Sequence, residues 1–187
     1  MKQELRLSGT GGQGLILAGI ILAEAALLDG KLAIQSQSYG PEARGGSSKS
    51  EVIISEYAIH FPKVTEPNLL LAMSQEASNK YSVDLSHESI LVTDSLFVTK
   101  LPAHTGKIYE LPITHSAKEV LGKALFANII ALGALVKITK IVSEESLIAA
   151  VLHRVPKGTE EINKKALQLG MDLVKEYAKK LRICGAF

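Results

Sequence analysis

The sequence predicts a three-layer α/β/α domain built on a mostly parallel sheet. Three observations carry that expectation. Short apolar runs of strand type alternate with helical periodicity through the first two thirds of the chain, which is the pattern of strand–helix–strand units. A glycine-rich turn, Gly9–Gly14, closes the first run and opens a helix. The last third is helical and is expected to cover one face or one edge of the sheet.

The elements follow in order. Leu5–Ser8 reads as a short strand and Leu15–Leu28 as a helix whose single charge is Glu24. A helix apolar nearly all round is buried on more than one side. Asp29-Gly30 ends it, and Leu32–Gln37 is the second strand. Ser38–Ser48 is a loop rich in Gly and Ser. Ser50–Ser55 is a third strand, with Ala58–Phe61 as a hairpin partner, and Pro62 and Pro67 punctuate the connector beyond. Leu69–Ala72 and Ile90–Thr93 are short apolar strands separated by a helix at Gln75–Tyr81. Strand–helix–strand crossovers are expected into Leu32 and from Leu69–Ala72 to Ile90.

Lys107–Leu111 is a further strand, which Pro112 keeps from continuing as a central one. Ser116 and Glu119 have capping-box spacing, so a helix is expected to start there and run toward Ile138, with a break near Gly122. Ser143-Glu144-Glu145 opens a helix ending near Arg154. Ile162, Ala166, Leu169, Leu173 and Tyr177 then recur at helical spacing in an amphipathic surface helix. Residues 1–187 read as one domain, with a core over about 3–178 and a tail over 179–187.

Composition narrows the function classes. A chain of 187 residues with 47% hydrophobic content needs no disulfide or metal staple. The 21 basic and 19 acidic residues are interspersed, and 5% aromatic content is too little for a base-stacking platform, so a nucleic-acid partner is not expected. Cys184 is the single cysteine, which by itself makes no internal disulfide and holds no iron–sulfur cluster or zinc. It fits a cytoplasmic location. Met1-Lys2-Gln3-Glu4 runs straight into strand-like sequence without a signal-peptide pattern. The apolar stretch between Lys123 and Lys137 falls short of the roughly 20 residues that cross a bilayer, so no membrane span is expected.

Two loops carry the candidate chemistry. Gly9, Gly11 and Gly14 satisfy G-x-G-x-x-G between a strand and a helix, with Gly12 and Gln13 inside the turn. Glycines allow positive φ and close approach, and the helix N-terminus offers free N–H groups to an anion. A nicotinamide dinucleotide site also wants an acid at the end of the second strand. Here that region reads Gln35-Ser36-Gln37-Ser38, with neither acid nor base. The remaining readings are a bare tight turn, another anionic ligand, or a partner surface. The second loop, Tyr39-Gly40-Pro41-Glu42-Ala43-Arg44-Gly45-Gly46, follows the second strand at the edge where open α/β sheets bind ligands. Arg44 can grip a phosphate or carboxylate, pair with Glu42, or stand solvated.

Other polar residues read as structural. His60, His87, His104, His115 and His153 share no metal-ligand spacing. Asp94, at the end of a strand, suits a turn or helix cap ahead of the other reading, a functional acid. Asn128 interrupts an apolar helix and needs a hydrogen-bond partner, from backbone or from another subunit. Ser8, Ser36 and Ser38 lack a nucleophile-elbow context. No residue reads as a proton-transfer or nucleophilic catalyst.

Taken together, four separated motifs resemble the γ subunits of 2-oxoacid:ferredoxin oxidoreductases. They are Gly9-Thr10-Gly11-Gly12-Gln13-Gly14 with Ala18 and Ile21-Leu22-Ala23; Tyr39–Gly46 with Ser50-Glu51-Val52; Pro67-Asn68-Leu69-Leu70 with Ser74-Gln75-Glu76-Ala77; and Ala127-Asn128-Ile129 with Leu132-Gly133-Ala134. Asn68 stands where the family usually has aspartate, and the resemblance runs to about residue 178. It implies the domain-III-like γ-subunit fold. It implies a complex that oxidatively decarboxylates a 2-oxoacid with coenzyme A, giving acyl-CoA, CO2 and reduced ferredoxin. Thiamine diphosphate, magnesium and iron–sulfur clusters would then sit on α, β or a ferredoxin-like δ subunit, with ferredoxin as acceptor and no cofactor on this chain alone.

The resemblance also implies that Gly9, Gly11, Gly12, Gln13, Gly14, Tyr39, Gly40, Pro41, Glu42, Arg44, Gly45 and Gly46 contact CoA or a partner subunit, two readings left open by the residues. The wording from Gln37 to Gly46 is most similar to 2-oxoglutarate-type subunits, because pyruvate- and branched-chain (2-oxoisovalerate) types tend to carry phenylalanine where Tyr39 stands. Indolepyruvate-type subunits and a free-standing nucleotide-binding module are the alternatives. The isolated chain is expected to be inactive and open to homodimer formation through surfaces meant for partners.

Overall fold

The computed structural model of the chain describes residues 2–38, 47–103 and 106–183. Six strands are found among them, β1 Lys2–Thr10, β2 Leu32–Ser38, β3 Ser47–Ser55, β4 Leu69–Ala72, β5 Ile90–Asp94 and β6 Lys107–Leu111. The helices are α1 Leu15–Leu28, α2 Gln75–Tyr81, α3 Ile113–Leu121, α4 Ala127–Thr139, α5 Glu144–Arg154 and α6 Glu160–Ile183, with a 3-10 turn at Ala124–Phe126. The strands form one sheet in the order β2-β3-β1-β4-β5-β6. β3 runs antiparallel to both neighbours, and the pairs β1–β4, β4–β5 and β5–β6 are parallel.

The mostly parallel expectation holds, with one topological correction. The chain leaves β1 through α1 but does not return beside it. β2 lies one place farther out, because β3 comes back between them and pairs with β1 from Lys2↔Ser55 to Thr10↔Ser47. That long ladder extends β1 and β3 beyond the apolar runs that announce them. It also removes the expected hairpin at Ala58–Phe61, which forms no strand. Both edges of β3 are already taken, so no ladder is free to receive it.

Strand alternation assigns two faces. Leu5 and Leu7 of β1 join Val52, Ile54, Leu69, Leu71 and Val92 in the main core beneath α1 and α4. The opposite face carries a smaller cluster, Leu70, Ala72 and Leu91 under Ala77 and Tyr81 of α2. Arg6 points to this second face, where it is 4% exposed. Its guanidinium meets Glu51 at 2.7 Å and Asp84 at 3.3 Å, and stands 5.4 Å from the centre of the Tyr81 ring. A buried charge demands such partners, since desolvation otherwise costs several kcal/mol.

The two apolar helices are interior, as their composition requires. α1 packs on β1, β2, β3, α4 and α5. α4 is buried along the whole of Ala127–Val136. It crosses α6 so closely that a Cβ built on Gly170 would lie 1.9 Å from the Ile130 carbonyl oxygen. A Cβ on Gly133 would lie 2.1 Å from that of Leu167. α6 is amphipathic, with Ala166, Leu167, Met171, Leu173 and Val174 buried, and it continues through residues 179–183 of the expected tail.

The helix after β6 starts earlier than its capping-box spacing suggests. α3 begins at Ile113, and Ser116 lies inside it, its N–H donating to the Pro112 carbonyl. Pro112 offers no side-chain cap, and the carboxylate of Asp94 at the end of β5 takes that place. A cap supplied from another strand leaves no local sequence signature. The break at Gly122 is present, with φ 74°.

Candidate functional site

The glycine turn lies at the C-terminal edge of the parallel strands, where β1 hands over to α1. Its side chains lock it from within. Gln13 accepts a hydrogen bond from the Thr10 N–H at 2.8 Å and donates to the Met73 carbonyl, just past β4, at 3.0 Å. Asn128, 5% exposed at the start of α4, donates from Nδ2 to the Gly14 carbonyl at 3.2 Å. The expected partner of Asn128 is therefore backbone of this same chain, and it ties the turn to the helical layer.

The four glycines divide by what each one is for. A Cβ on Gly9 would lie 2.1 Å from Gln13 Oε1 and 3.0 Å from Met73 Cβ. A Cβ on Gly14 would lie 2.5 Å from Asn128 Nδ2, and its φ is 72°. Both are required by internal packing. Gly12 is open but holds φ 87°. Gly11 has neither positive φ nor any heavy atom within 4 Å of an added Cβ. Nothing inside the described fold explains its lack of a side chain.

Gly11 and Gly12 face a cleft of about 460 Å³, opposite Phe97, Thr114, Lys118 and Leu125. Among the described residues of the lining, Lys118 is the one cation and none is an acid. The N-terminus of α1 has no side-chain cap, so its free N–H groups add positive potential. Phe97 is 42% and Leu125 72% exposed, which makes the outer rim apolar. Such a lining suits an anionic group carried beside an apolar one, or an apolar partner surface.

Beneath the cleft, Asp94 has no exposed surface. Its carboxylate accepts from the N–H of Leu96 and of Thr114, each at 3.2 Å. Burial pushes its carboxyl above the ordinary carboxylate range, opposed by the hydrogen bonds from Thr114, Leu96 and Ile113. Asp94 is thus the turn and cap residue expected, and it sets the first turn of α3 so that Thr114 and Lys118 reach the cleft. Phe97, Thr114, Lys118 and Leu125 were not singled out by the sequence. Their nearness to the glycine turn comes only from the parallel order β1-β4-β5-β6.

The second motif, Tyr39–Gly46, lies outside the described residues, as do His104 and Cys184. Its anchors do not. Ser38 pairs with Lys49, and Ser47 pairs with Thr10 at the start of the glycine turn. The two motifs therefore leave the sheet at the same edge, on adjacent strands. A dinucleotide site of ordinary form is not built here. β3 fills the place beside β1 where its second strand would stand, and β2 ends without an acid.

His153 pairs with Glu24, as Arg154 does at 2.5 Å, tying α5 to α1. Among the described residues no group of three His, Cys, Asp or Glu could hold a metal ion. No helix among them is long and apolar enough to cross a membrane.

Comparison with known proteins gives this geometry a family. The family model described as pyruvate ferredoxin/flavodoxin oxidoreductase matches residues 4–173. The chain is 50% identical over 179 residues to the 2-oxoglutarate synthase subunit KorC of Methanocaldococcus jannaschii, covering 94% of this chain and 96% of that one. It is 30% identical over 182 residues to the pyruvate synthase subunit PorC of Thermotoga maritima, covering 92% and 94%. The crystal structure of the keto/oxoacid ferredoxin oxidoreductase γ subunit from Geobacter sulfurreducens superposes with a TM-score of 0.85 at 51% identity, over 93% of this chain and 99% of that one. A family match over residues 4–173 and a fold shared over nearly the whole of both chains make this chain a γ-subunit-type member of the pyruvate ferredoxin/flavodoxin oxidoreductase family.

Proposed function

We propose that the chain is the γ subunit of a 2-oxoglutarate:ferredoxin oxidoreductase. The complex would decarboxylate 2-oxoglutarate oxidatively with coenzyme A, giving succinyl-CoA, CO2 and reduced ferredoxin. The observation that carries the substrate is the 50% identity, over nearly all of both chains, to a 2-oxoglutarate synthase subunit, against 30% to a pyruvate synthase subunit. In this reading thiamine diphosphate and its magnesium sit on partner subunits; among the described residues no group of three His, Cys, Asp or Glu could hold a metal ion. The single cysteine cannot ligate an iron–sulfur cluster alone. In this reading the carbon and electron chemistry belongs to α, β and δ partner subunits.

The chain's own contribution is binding and assembly at the glycine cleft. Gly11 and Gly12 with the α1 N-terminus and Lys118 would meet the anionic groups of CoA, with Phe97 and Leu125 against its apolar portion. Gly9, Gln13 and Gly14 hold the turn in shape. Tyr39, Gly40, Pro41, Glu42, Arg44, Gly45 and Gly46, between the anchors Ser38 and Ser47, would add contacts to CoA or to a partner subunit. The 72% exposure of Leu125 favours a second use of that rim, as a seat for a partner subunit.

The chain, tagged and recovered anaerobically from its native lysate, tests the proposal. The expected eluate contains larger subunits and reduces a dye with 2-oxoglutarate only when CoA is present. Preference for pyruvate or 2-oxoisovalerate would overturn the substrate. A chain recovered alone, where a control complex survives, would overturn the subunit role.

A further inference from the structure

The segment Ser74-Gln75-Glu76-Ala77 lines no part of the glycine cleft among the described residues. Ser74 is the cap of α2, accepting from the Ala77 N–H at 3.2 Å. Gln75 reaches away from its helix. Its Oε1 accepts from the N–H groups of both Thr99 and Lys100, each at 2.9 Å, and its Nε2 donates to the Lys100 carbonyl at 2.8 Å. Nε2 also donates to Asn79 Oδ1 at 2.9 Å, one turn along α2, which fixes the orientation of the amide.

The three bonds to main chain grip the far limb of residues 95–100, the segment that carries Phe97. The near limb is held by Asp94, whose carbonyl accepts from the N–H groups of Phe97 at 3.1 Å and Val98 at 2.9 Å. Val98 is buried, whereas Phe97 beside it is half-exposed and lines the cleft opposite Gly11 and Gly12. Gln13 makes the matching connection on the other wall, from the Thr10 N–H to the Met73 carbonyl. Met73 and Gln75 stand two residues apart after β4. Two glutamine amides thus tie both walls of the cleft to one short stretch of main chain.

We infer that Gln75 is a positioning residue for the ligand of the glycine cleft, which preorganises Phe97 without touching the ligand. The inference rests on the reading that the cleft receives CoA. The bonds of Gln75 are exposed to solvent, where water competes for the same groups, so their contribution to folding is small. What they remove is the freedom of the segment. An aromatic side chain on a loose segment has to be ordered when its ligand arrives, and that cost is subtracted from affinity. Held beforehand, Phe97 meets the apolar portion of CoA without it.

Two measurements on Gln75→Ala test the inference. In the folded chain, exchange of the Thr99 and Lys100 amides is expected to accelerate about tenfold or more, while the amides of β1 and β4 keep their protection. In the complex recovered through the tagged chain, the apparent KM for CoA is expected to rise about two- to tenfold. The kcat at saturating CoA and the KM for 2-oxoglutarate are expected to stay at their wild-type values. In a Phe97→Ala background the same substitution is expected to raise the KM for CoA no further, because both residues act through one contact. Unchanged exchange at Thr99 and Lys100, an unchanged KM for CoA, or effects of the two substitutions that simply multiply would overturn the inference. A wild-type complex that turns over without CoA would overturn the reading of the cleft itself. Accelerated exchange in the variant would then mark the bonds of Gln75 as structural only, and the positioning role would fall with the reading.

Discussion

The hydroxyl of Tyr177 on α6 donates to the main-chain carbonyl of Ile108 on β6, 3.0 Å away. The two residues are far apart in sequence, and the bond covers the open side of the last strand. The Tyr177 ring also packs 5.4 Å from that of Tyr109. One side chain thus anchors α6 to the sheet and closes its edge.

Tyr177→Phe keeps the ring contact and removes the bond. The expected loss is about 1 kcal/mol of folding stability, read as a lower urea midpoint. Burial raises the Tyr177 hydroxyl above its ordinary value of 10.0. The wild type therefore keeps this contribution below pH 10, where both states are protonated. It loses it as pH rises through 10 toward the raised folded value, because the unfolded chain ionises first. Melting curves from pH 9 to 11 should fall more steeply for wild type than for Tyr177→Phe. Equal slopes would remove Tyr177 as the source.

Gly14 and Asn128 are coupled. Gly14→Ala places a Cβ 2.5 Å from Asn128 Nδ2 at φ 72°, and a left-handed conformation alone costs a side chain about 1–2 kcal/mol. Asn128→Ala leaves the Gly14 carbonyl without this donor and is expected to cost about 1–3 kcal/mol. In the double variant the clash is gone, so the sum of the single effects should exceed the double by about 0.5 kcal/mol or more. Additive denaturation free energies would contradict the contact.

Gly11 separates fold from function. Gly11→Ala should leave stability within about 0.5 kcal/mol of wild type, since its added Cβ meets nothing. Gly12→Ala should cost about 1–2 kcal/mol through its φ of 87° alone. If the cleft receives CoA or a partner subunit, Gly11→Ala is expected to raise the apparent KM for CoA or lower the yield of assembled complex. A folded variant with both quantities unchanged would leave the cleft without that occupant.

Gly170 sits where helix propensity and packing oppose each other. Alanine is favoured over glycine in a helix by about 1 kcal/mol. The added Cβ would stand 1.9 Å from the Ile130 carbonyl oxygen, and forcing backbone apart in a packed core costs about 1–3 kcal/mol or more. The clash is expected to win, so Gly170→Ala should lower the melting temperature. A rise would show that α4 and α6 can separate cheaply.

Much was legible in the sequence because the signals are local. The spans Leu15–Leu28, Leu69–Ala72, Gln75–Tyr81 and Lys107–Leu111 match the elements found. Periodicity, caps and breakers act over a few residues, and Ser143 capping α5 is such a signal. The glycine turn was visible in the same way, as a strand, a run of glycines and a helix. So was the need of Asn128 for a partner.

What tertiary structure alone decided concerns residues distant in sequence. The insertion of β3 between β1 and β2 depends on which edges are free once the chain has turned back. Asp94 supplies a cap to α3 from another strand, and that overrides the local Ser116–Glu119 pattern. The G-x-G-x-x-G spacing presents its glycines alike, yet packing against Gln13, Met73 and Asn128 fixes Gly9 and Gly14 while leaving Gly11 open. The sequence by itself determined the elements and the turn, because backbone propensity is a short-range property. Only the fold decided what each glycine is for and which edge is guarded, because excluded volume and strand pairing depend on neighbours that the chain brings from far away.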